Sequence, residues 1–416
     1  MTRAAVVLTA ATVLSSIAED LDGFTAALLA GRTGVRHGPG ESPAALLDTF
    51  TLARWSERHL AGDAETAGRL VRVAGRATRP AQTAACVALD AVRRAGFTPG
   101  ARTGLLVAGA NLALDHQART VLEYQRHPGR LRASYALTHL DADVVGVVSE
   151  LTGIRGEGWT VGAGSAAGTL AVIQAARLVQ SGWLDECLVV APMAELSPVE
   201  REAFRRTGAM ATVEQPGQAP RACRPFDSRR RGFVYGQAAA AVLLERADAA
   251  HRRGAPVLAE LAGHGQALDA RRGTEPDSAG QVAAIRAALA AAGAAPDDID
   301  YVNTHGTGSV LGDETEARSL RTVFGRRSPL VNSTKPLVGH CLSAAGLVEL
   351  VATVAQLRAG ACHPNPNLDD PIDRHLAFVG GTALTGPLRT ALSTSFAFGG
   401  INGSLVVRAV RPEESS

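Results

Sequence analysis

Ser333-Thr334-Lys335-Pro336-Leu337-Val338-Gly339-His340 holds the only lysine in a chain of 416 residues; the other 41 of its 42 basic residues are arginine. A chain that writes arginine wherever a positive charge will do, yet keeps lysine here, points to a place where arginine will not serve. An ammonium is a compact point charge whose pKa moves on burial, whereas a guanidinium is a wide planar fork. The alternative is one surface lysine surviving by chance. His340, five residues on, favours a tight polar site.

The rest of the composition frames that site. The length is enough for a large core and two domain-sized halves. Aromatics make up only 4% of the chain, so small aliphatic side chains must fill the interior. A net charge of +2 argues against partnership with nucleic acid or a membrane surface. The arginines are scattered, and Arg229-Arg230-Arg231 is too short for a binding tail. Cys86, Cys187, Cys223, Cys341 and Cys362 form no CxxC pair and no metal-ligand spacing. Their odd number and lack of pattern favour a reducing cytoplasm, and no metal is expected. Arg3 followed by the apolar run Ala4–Leu14 mimics a short secretory signal, but a buried first strand Ala4–Thr9 and a turn is the preferred expectation. No apolar run approaches the roughly 20 residues that span a bilayer.

Short apolar runs alternate with amphipathic stretches, the pattern of an α/β protein. Strands are expected at Thr103–Ala108, Cys187–Ala191, Ala239–Glu245, Val257–Ala262, Tyr301–Asn303, Leu330–Asn332 and Ser404–Arg408. Helices are expected at Thr83–Ala95, Ala166–Ser181, Gly280–Ala292, Asp313–Phe324 and Leu342–Arg358. Gly182 and Gly293 follow two of these helices as stop residues. Glu214–Pro220 reads as a loop and His264–Ser278 as a polar, structureless segment. A boundary near Ala250–Ala255 gives halves 1–250 and 251–416, each opening on a strand.

Three further stretches carry chemistry. In Val161-Gly162-Ala163-Gly164-Ser165-Ala166-Ala167-Gly168 the glycines allow a sharp turn and a close approach, and Ser165 falls at the first turn of a helix. The alternatives there are a dinucleotide loop, with Asp185 about 20 residues on, and a plain capping serine. In Tyr301-Val302-Asn303-Thr304-His305-Gly306-Thr307-Gly308-Ser309 a strand runs into a His-Gly turn, followed by the acids Asp313 and Glu316. That is a usual place for an active group in α/β proteins, though a structural histidine remains the alternative. Ser395-Phe396-Ala397-Phe398-Gly399-Gly400-Ile401-Asn402 is a glycine turn suited to offering main-chain N–H groups to an oxyanion.

A serine at a helix start, two glycine-turn histidines, one lysine and a Phe-Gly-Gly turn, in this order, resemble the β-ketoacyl synthase family. The resemblance runs from Val6-Val7-Leu8-Thr9 through Arg224-Pro225-Phe226-Asp227 and Gly232-Phe233-Val234-Tyr235-Gly236 to Phe398-Gly399-Gly400. It implies a thiolase fold, a layered αβαβα arrangement of two pseudo-repeated halves. It implies a site in which His305 and His340 match the two histidines of a Cys-His-His triad and Lys335 the family lysine. Asp313 and Glu316 then support the site, and Phe398 and Gly399 form its gate and oxyanion turn. No cofactor is implied, because the substrate rides on the phosphopantetheine of an acyl carrier protein. A homodimer is implied too, with Thr103–Ala108 and an apolar Cys187–Ala191 edge beside its two-fold axis.

The cysteine position holds Ser165. A helix start and nearby cations lower a thiol pKa by several units, but a serine hydroxyl there stays protonated, so acyl loading and condensation should fail. Decarboxylation needs no nucleophile, only donors for the enolate. The chain therefore resembles the serine-variant ketosynthases of polyketide β-branching cassettes, which convert malonyl- to acetyl-acyl carrier protein. The segment Glu200–Met210 resembles that subgroup as well. Two alternatives stand: a silent partner subunit resembling chain-length factors, which tend to lose the histidines retained here, and an acyltransferase or hydrolase with Ser165 as nucleophile, which would need a base within reach.

Overall fold

The computed structural model describes residues 4–38, 42–212 and 216–410; Arg3, and Glu214 and Gln215 of the expected loop, lie outside them. The apolar start of the chain forms a central strand, β1 (Val6–Ser15), buried along its whole length. It runs past the expected turn at Thr9 because Ala10, Ala11, Val13 and Leu14 continue the apolar run. The hydroxyls within it also find buried acceptors, Thr12 bonding Val87 O at 2.8 Å.

To the large sheet the first half supplies four more strands, β2 (Thr103–Ala108), β3 (Gly158–Val161), β4 (Glu186–Ala191) and β5 (Ala238–Arg246). The second half supplies β6 (Ala259–Leu268), β7 (Tyr301–Asn303), β8 (Leu330–Asn332), β9 (Thr390–Ala397) and β10 (Ile401–Arg408). Their spatial order is β3-β2-β4-β5-β1 and then β6-β10-β9-β7-β8, with the short strand Ala377–Phe378 outside β8. Counted from the outer end of each half, both read third, second, fourth, fifth, first. The directions repeat as well. β2 is parallel to β3 and β4, and β7 to β8 and β9, while the remaining pairs among the five numbered strands of each half are antiparallel. The halves join where Val7 and Leu8 pair with Glu260 and Ala259.

Helices cover every face. α1 (Arg79–Arg94) and α2 (Ala142–Thr152) lie outside the first half-sheet, and α5 (Ser278–Ala292) and α6 (Val310–Phe324) outside the second. Between the half-sheets run α3 (Ala167–Gln180) and α7 (Ala345–Ala359), each touching strands of both, and α4 (Pro198–Arg206) follows β4. This is the αβαβα layering of a thiolase fold. Side-chain alternation shows why the strands read as unbroken apolar runs. Ala238, Ala240, Val242 and Leu244 of β5 face the central helices, while Ala239, Ala241 and Leu243 face the outer ones. The central helices cross at glycines, since a Cβ on Gly168 would lie 2.5 Å from Leu347 N and one on Gly346 2.3 Å from Thr169 Oγ1. Together with the turn before it, α7 (Leu342–Ala359) is long and apolar enough by composition to cross a membrane, but 83% of it is buried inside the protein.

Two expectations are corrected. His264–Ser278 is not structureless at its start, because β6 continues to Leu268, paired with β10. Glycine hid the pattern: a Cβ on Gly263 would meet Ala288 O at 2.3 Å and one on Gly265 Ala284 O at 2.1 Å, so α5 rests on bare strand backbone. Cys187–Ala191 is not an edge either. It lies inside the sheet between β2 and β5, and the outer edge of that half is β3.

Candidate active site

The site gathers where the turns before the two central helices meet the second half-sheet. Gly164, with φ +51°, turns the chain out of β3, and Gly164–Ala166 form one 3-10 turn leading into α3. Ser165 does not cap that helix. Its Oγ lies 2.9 Å from Nε2 of His340, which sets aside the capping alternative. The dinucleotide alternative falls too, because Gly168 is consumed by helix packing and Asp185 pairs with Arg102 at 3.2 Å.

His340 is placed by its backbone. Its N–H donates to Val234 O at 2.6 Å and its carbonyl accepts from Gly236 N at 2.9 Å. A Cβ on Gly339 would fall 2.7 Å from Gly236 Cα, so both glycines are needed for this clamp. The His340 ring meets Phe233 and His305 edge-on, with centroids 5.3 and 5.4 Å away. Its Nδ1 is buried and has no partner among the described residues.

His305 sits on the turn after β7, and the two acids build that turn. Glu316 accepts from the main-chain N–H of His305 (2.8 Å) and Gly306 (2.7 Å). Asp313 accepts from Thr307 and Gly308, both at 3.1 Å, and from Phe226 at 2.7 Å. The last bond holds Phe226 in the left-handed region at φ +61°, unusual for a bulky residue.

Lys335 is buried, as its rarity suggested. Its Nζ contacts the carbonyl of His305, pairs with Glu349 and lies 3.5 Å from His305 Nδ1. Glu349 went unremarked in the sequence. The signal was there, for it is the sole acid in the apolar helix Leu342–Arg358. Arg230 was also passed over; it bonds Glu314 at 2.7 Å and stands 3.8 Å from Asp313.

Burial governs the charges. It holds the His305 and His340 imidazoles well below their usual pKa, and the Lys335 ammonium pushes the same way. Both rings are neutral. Burial raises Asp313, Glu316 and Glu349 to about 7, in Glu349 against the opposing pull of Lys335.

Ser165, His305 and His340 open on a cavity of about 340 Å³ walled by Phe204, Phe233 and Phe398. No arginine, lysine or cysteine lines it among the described residues. Cys341, next to His340, turns its thiol to Val338 O at 3.6 Å, and burial holds that thiol far above its usual pKa. Phe398 is 45% exposed, its ring 6.5 Å from that of Phe204. The oxyanion donor expected of Gly399 is not free, because its N–H donates to Gly273 O at 2.9 Å. No group of three or more His, Cys, Asp or Glu side chains suited to a metal occurs among the described residues.

Comparison with known proteins places this geometry. Residues 3–250 match the model of the β-ketoacyl synthase N-terminal domain, and residues 258–369 that of the C-terminal domain. Over 309 residues the chain is 39% identical to the polyketide biosynthesis malonyl-ACP decarboxylase PksF of Bacillus subtilis (strain 168), covering 74% of each chain. It is 37% identical over 260 residues to the chloroplastic 3-oxoacyl-acyl-carrier-protein synthase II of Arabidopsis thaliana, which is 61% of this chain and 48% of that one. Two solved structures superpose on 99% of this chain and 100% of their own. The ishigamide ketosynthase/chain length factor does so with a TM-score of 0.87 and 26% identity, and a β-ketoacyl synthase from Burkholderia phymatum STM815 with 0.85 and 28%. The chain belongs to the β-ketoacyl synthase family.

Proposed function

We propose that the chain decarboxylates malonyl-acyl carrier protein to the acetyl form without condensation, in polyketide biosynthesis, where the acetyl group feeds β-branching. The observation that carries this is the pairing of Ser165 with His340 in a cavity lined by two neutral histidines and no cysteine. Loss of CO2 leaves an electron pair on C2 that spreads onto the thioester oxygen. His305 donates to that oxygen, and the one N–H of His340, which faces Ser165 in the resting site, turns to it as the charge develops, each donor being worth about 2.7–4 kcal/mol in comparable sites. With no arginine or lysine in the lining among the described residues, the substrate carboxylate is not stabilised in the ground state, so its departure as neutral CO2 is not opposed. The assignment of PksF as a malonyl-ACP decarboxylase agrees with this chemistry.

The serine-nucleophile alternative has its base within reach, at 2.9 Å. The tautomer speaks against it. Nδ1 of His340 is buried without a partner among the described residues in either tautomer, and an orphaned N–H there is less tolerated than an orphaned lone pair. With the proton on Nε2, His340 donates toward Ser165 and the cavity and cannot take the serine proton. The silent-partner alternative fits poorly with Lys335 held against His305 and the His305 and His340 rings meeting edge-on beside Ser165.

The partner is an acyl carrier protein whose phosphopantetheine enters past Phe398, and the working unit is a homodimer. Mass spectrometry of malonyl-loaded carrier protein incubated with the purified chain tests the function. Conversion to acetyl carrier protein with loss of CO2 is expected. An unchanged malonyl group, or an acyl group moved onto Ser165, would overturn it.

A further inference from the structure

We infer that Ser165 is the proton donor that completes the reaction at C2. The inference rests on the decarboxylase reading of the site. When the C2–carboxylate bond breaks, CO2 departs neutral and C2 keeps the electron pair. In a condensing enzyme that carbon attacks an acyl group held on the cysteine. Here the corresponding place holds a hydroxyl, and C2 becomes a methyl group only by taking one proton.

Ser165 is built to give it. In the Nε2–H tautomer favoured above, His340 donates to Ser165 Oγ across their 2.9 Å contact, so the serine keeps its own proton free of that bond. A hydroxyl that accepts a charge-stabilising bond is the stronger acid, because the alkoxide it leaves is already solvated by that donor. The alkoxide would also stand at the start of α3, a helix of 14 residues, whose N-terminal end favours negative charge.

Of the other proton-bearing groups on the cavity wall, the buried Ser343 hydroxyl has no partner among the described residues, but no histidine donates to it as His340 faces Ser165. Thr307 gives its hydroxyl proton to Ser309 Oγ at 3.0 Å. The carboxylates of Asp313 and Glu316 are filled by main-chain N–H groups. In the step, the Ser165 O–H proton passes to C2 and the O–H electron pair stays on Oγ. As C2 takes the proton the thioester oxygen loses its charge, and His340 Nε2–H returns to the alkoxide and holds it until a water proton, entering through the cavity mouth, restores the hydroxyl. One solvent proton is consumed for each CO2 released.

A donor fixed on one side of C2 has a stereochemical consequence. Malonyl carrier protein bearing deuterium at C2 in one configuration is turned over in tritiated water, and the chirality of the acetyl methyl group is read. The wild-type chain is expected to give one configuration in excess, and Ser165→Ala to lose that excess. Ser165→Cys, which keeps a proton donor in the same place, should restore it. A racemic methyl group from the wild type, or an undiminished excess from Ser165→Ala, would overturn the inference and leave the decarboxylase reading standing. Absence of CO2 release from the wild type would instead overturn that reading itself.

Discussion

Lys335 Nζ stands 3.5 Å from Nδ1 of His305, and this contact favours one nitrogen of His305 as the bearer of its proton. An ammonium has donors only, so Nδ1 must accept and Nε2 carries the N–H. The lysine is thus the reason His305 is a donor. Lys335→Arg keeps the charge but puts a wide fork into a site that is 1% exposed. Overpacking of that kind costs about 1–3 kcal/mol, and the guanidinium cannot keep both the Glu349 and His305 contacts. Turnover of malonyl carrier protein is expected to fall about 10²-fold, with a lower urea midpoint. Near-normal turnover in Lys335→Arg would show that the lysine is not needed as a compact charge.

His305→Ala and His340→Ala each remove one donor from the developing enolate. Each is expected to slow CO2 release by about 10²–10³-fold. Ser165→Ala is expected to slow it less than either, because C–C cleavage itself does not use the hydroxyl. The three variants need comparison under one condition. A dead Ser165→Ala beside active histidine variants would favour a serine nucleophile.

The depressed histidine pKa values fix the sign of a stability effect. In the unfolded chain these rings bind protons below about pH 6.5; in the folded chain burial and Lys335 hold them neutral well below that. The unfolded state therefore binds more protons there, and stability falls as pH falls below about 6.5. Asp313, Glu316 and Glu349, raised to about 7, act in the opposite direction between about pH 4.5 and 7. Subtracting His305→Asn from wild type at each pH isolates the histidine. The wild type should lose more stability than the variant between about pH 6.5 and 5, measured by urea denaturation. Parallel curves would mean that His305 is not held neutral.

The homodimer expectation moves with the corrected edge. β3 leaves one side unpaired at the end of the sheet, and Trp159 on it is 39% exposed. Bare edges of this kind invite pairing. Light scattering should find a dimer, and Thr160→Pro, which removes an edge donor, should shift it toward monomer. A wild-type monomer would contradict the expectation.

The site was more legible from residue types than the fold around it. Lys335, His305 and His340 were visible because rare residue types sat on glycine turns. Strand β6 was half missed because Gly263 and Gly265, needed for contact with α5, erased its apolar alternation. The edge was misplaced because Cys187–Ala191 is apolar on both faces, which is what an interior strand looks like. A further trace went unread. Ser-Ala-Ala-Gly occurs at residues 165–168 and again at 343–346, in the turns that lead into α3 and α7, and it is the residue-level mark of the repeat. Sequence pattern reports burial well, but a glycine chosen for close approach looks the same as one chosen for a turn.

That ambiguity is open to test at Gly168. In an ordinary helix, replacing glycine by alanine stabilises by about 0.5–1 kcal/mol. At Gly168 the new Cβ would lie 2.5 Å from Leu347 N, a main-chain atom that cannot swing aside, so the two central helices must separate. Gly168→Ala is expected to destabilise by about 1–3 kcal/mol. It should also slow turnover, because Ser165 and His340 stand on the two turns whose spacing this crossing sets. Gly146→Ala in α2 is the matched control, since its Cβ would meet nothing within 4 Å and should bring the ordinary gain. Urea denaturation of the two variants gives opposite signs if α3 and α7 are locked at Gly168. A stabilised Gly168→Ala would mean that the crossing has room to spare, and that the 2.9 Å contact between Ser165 and His340 does not depend on it.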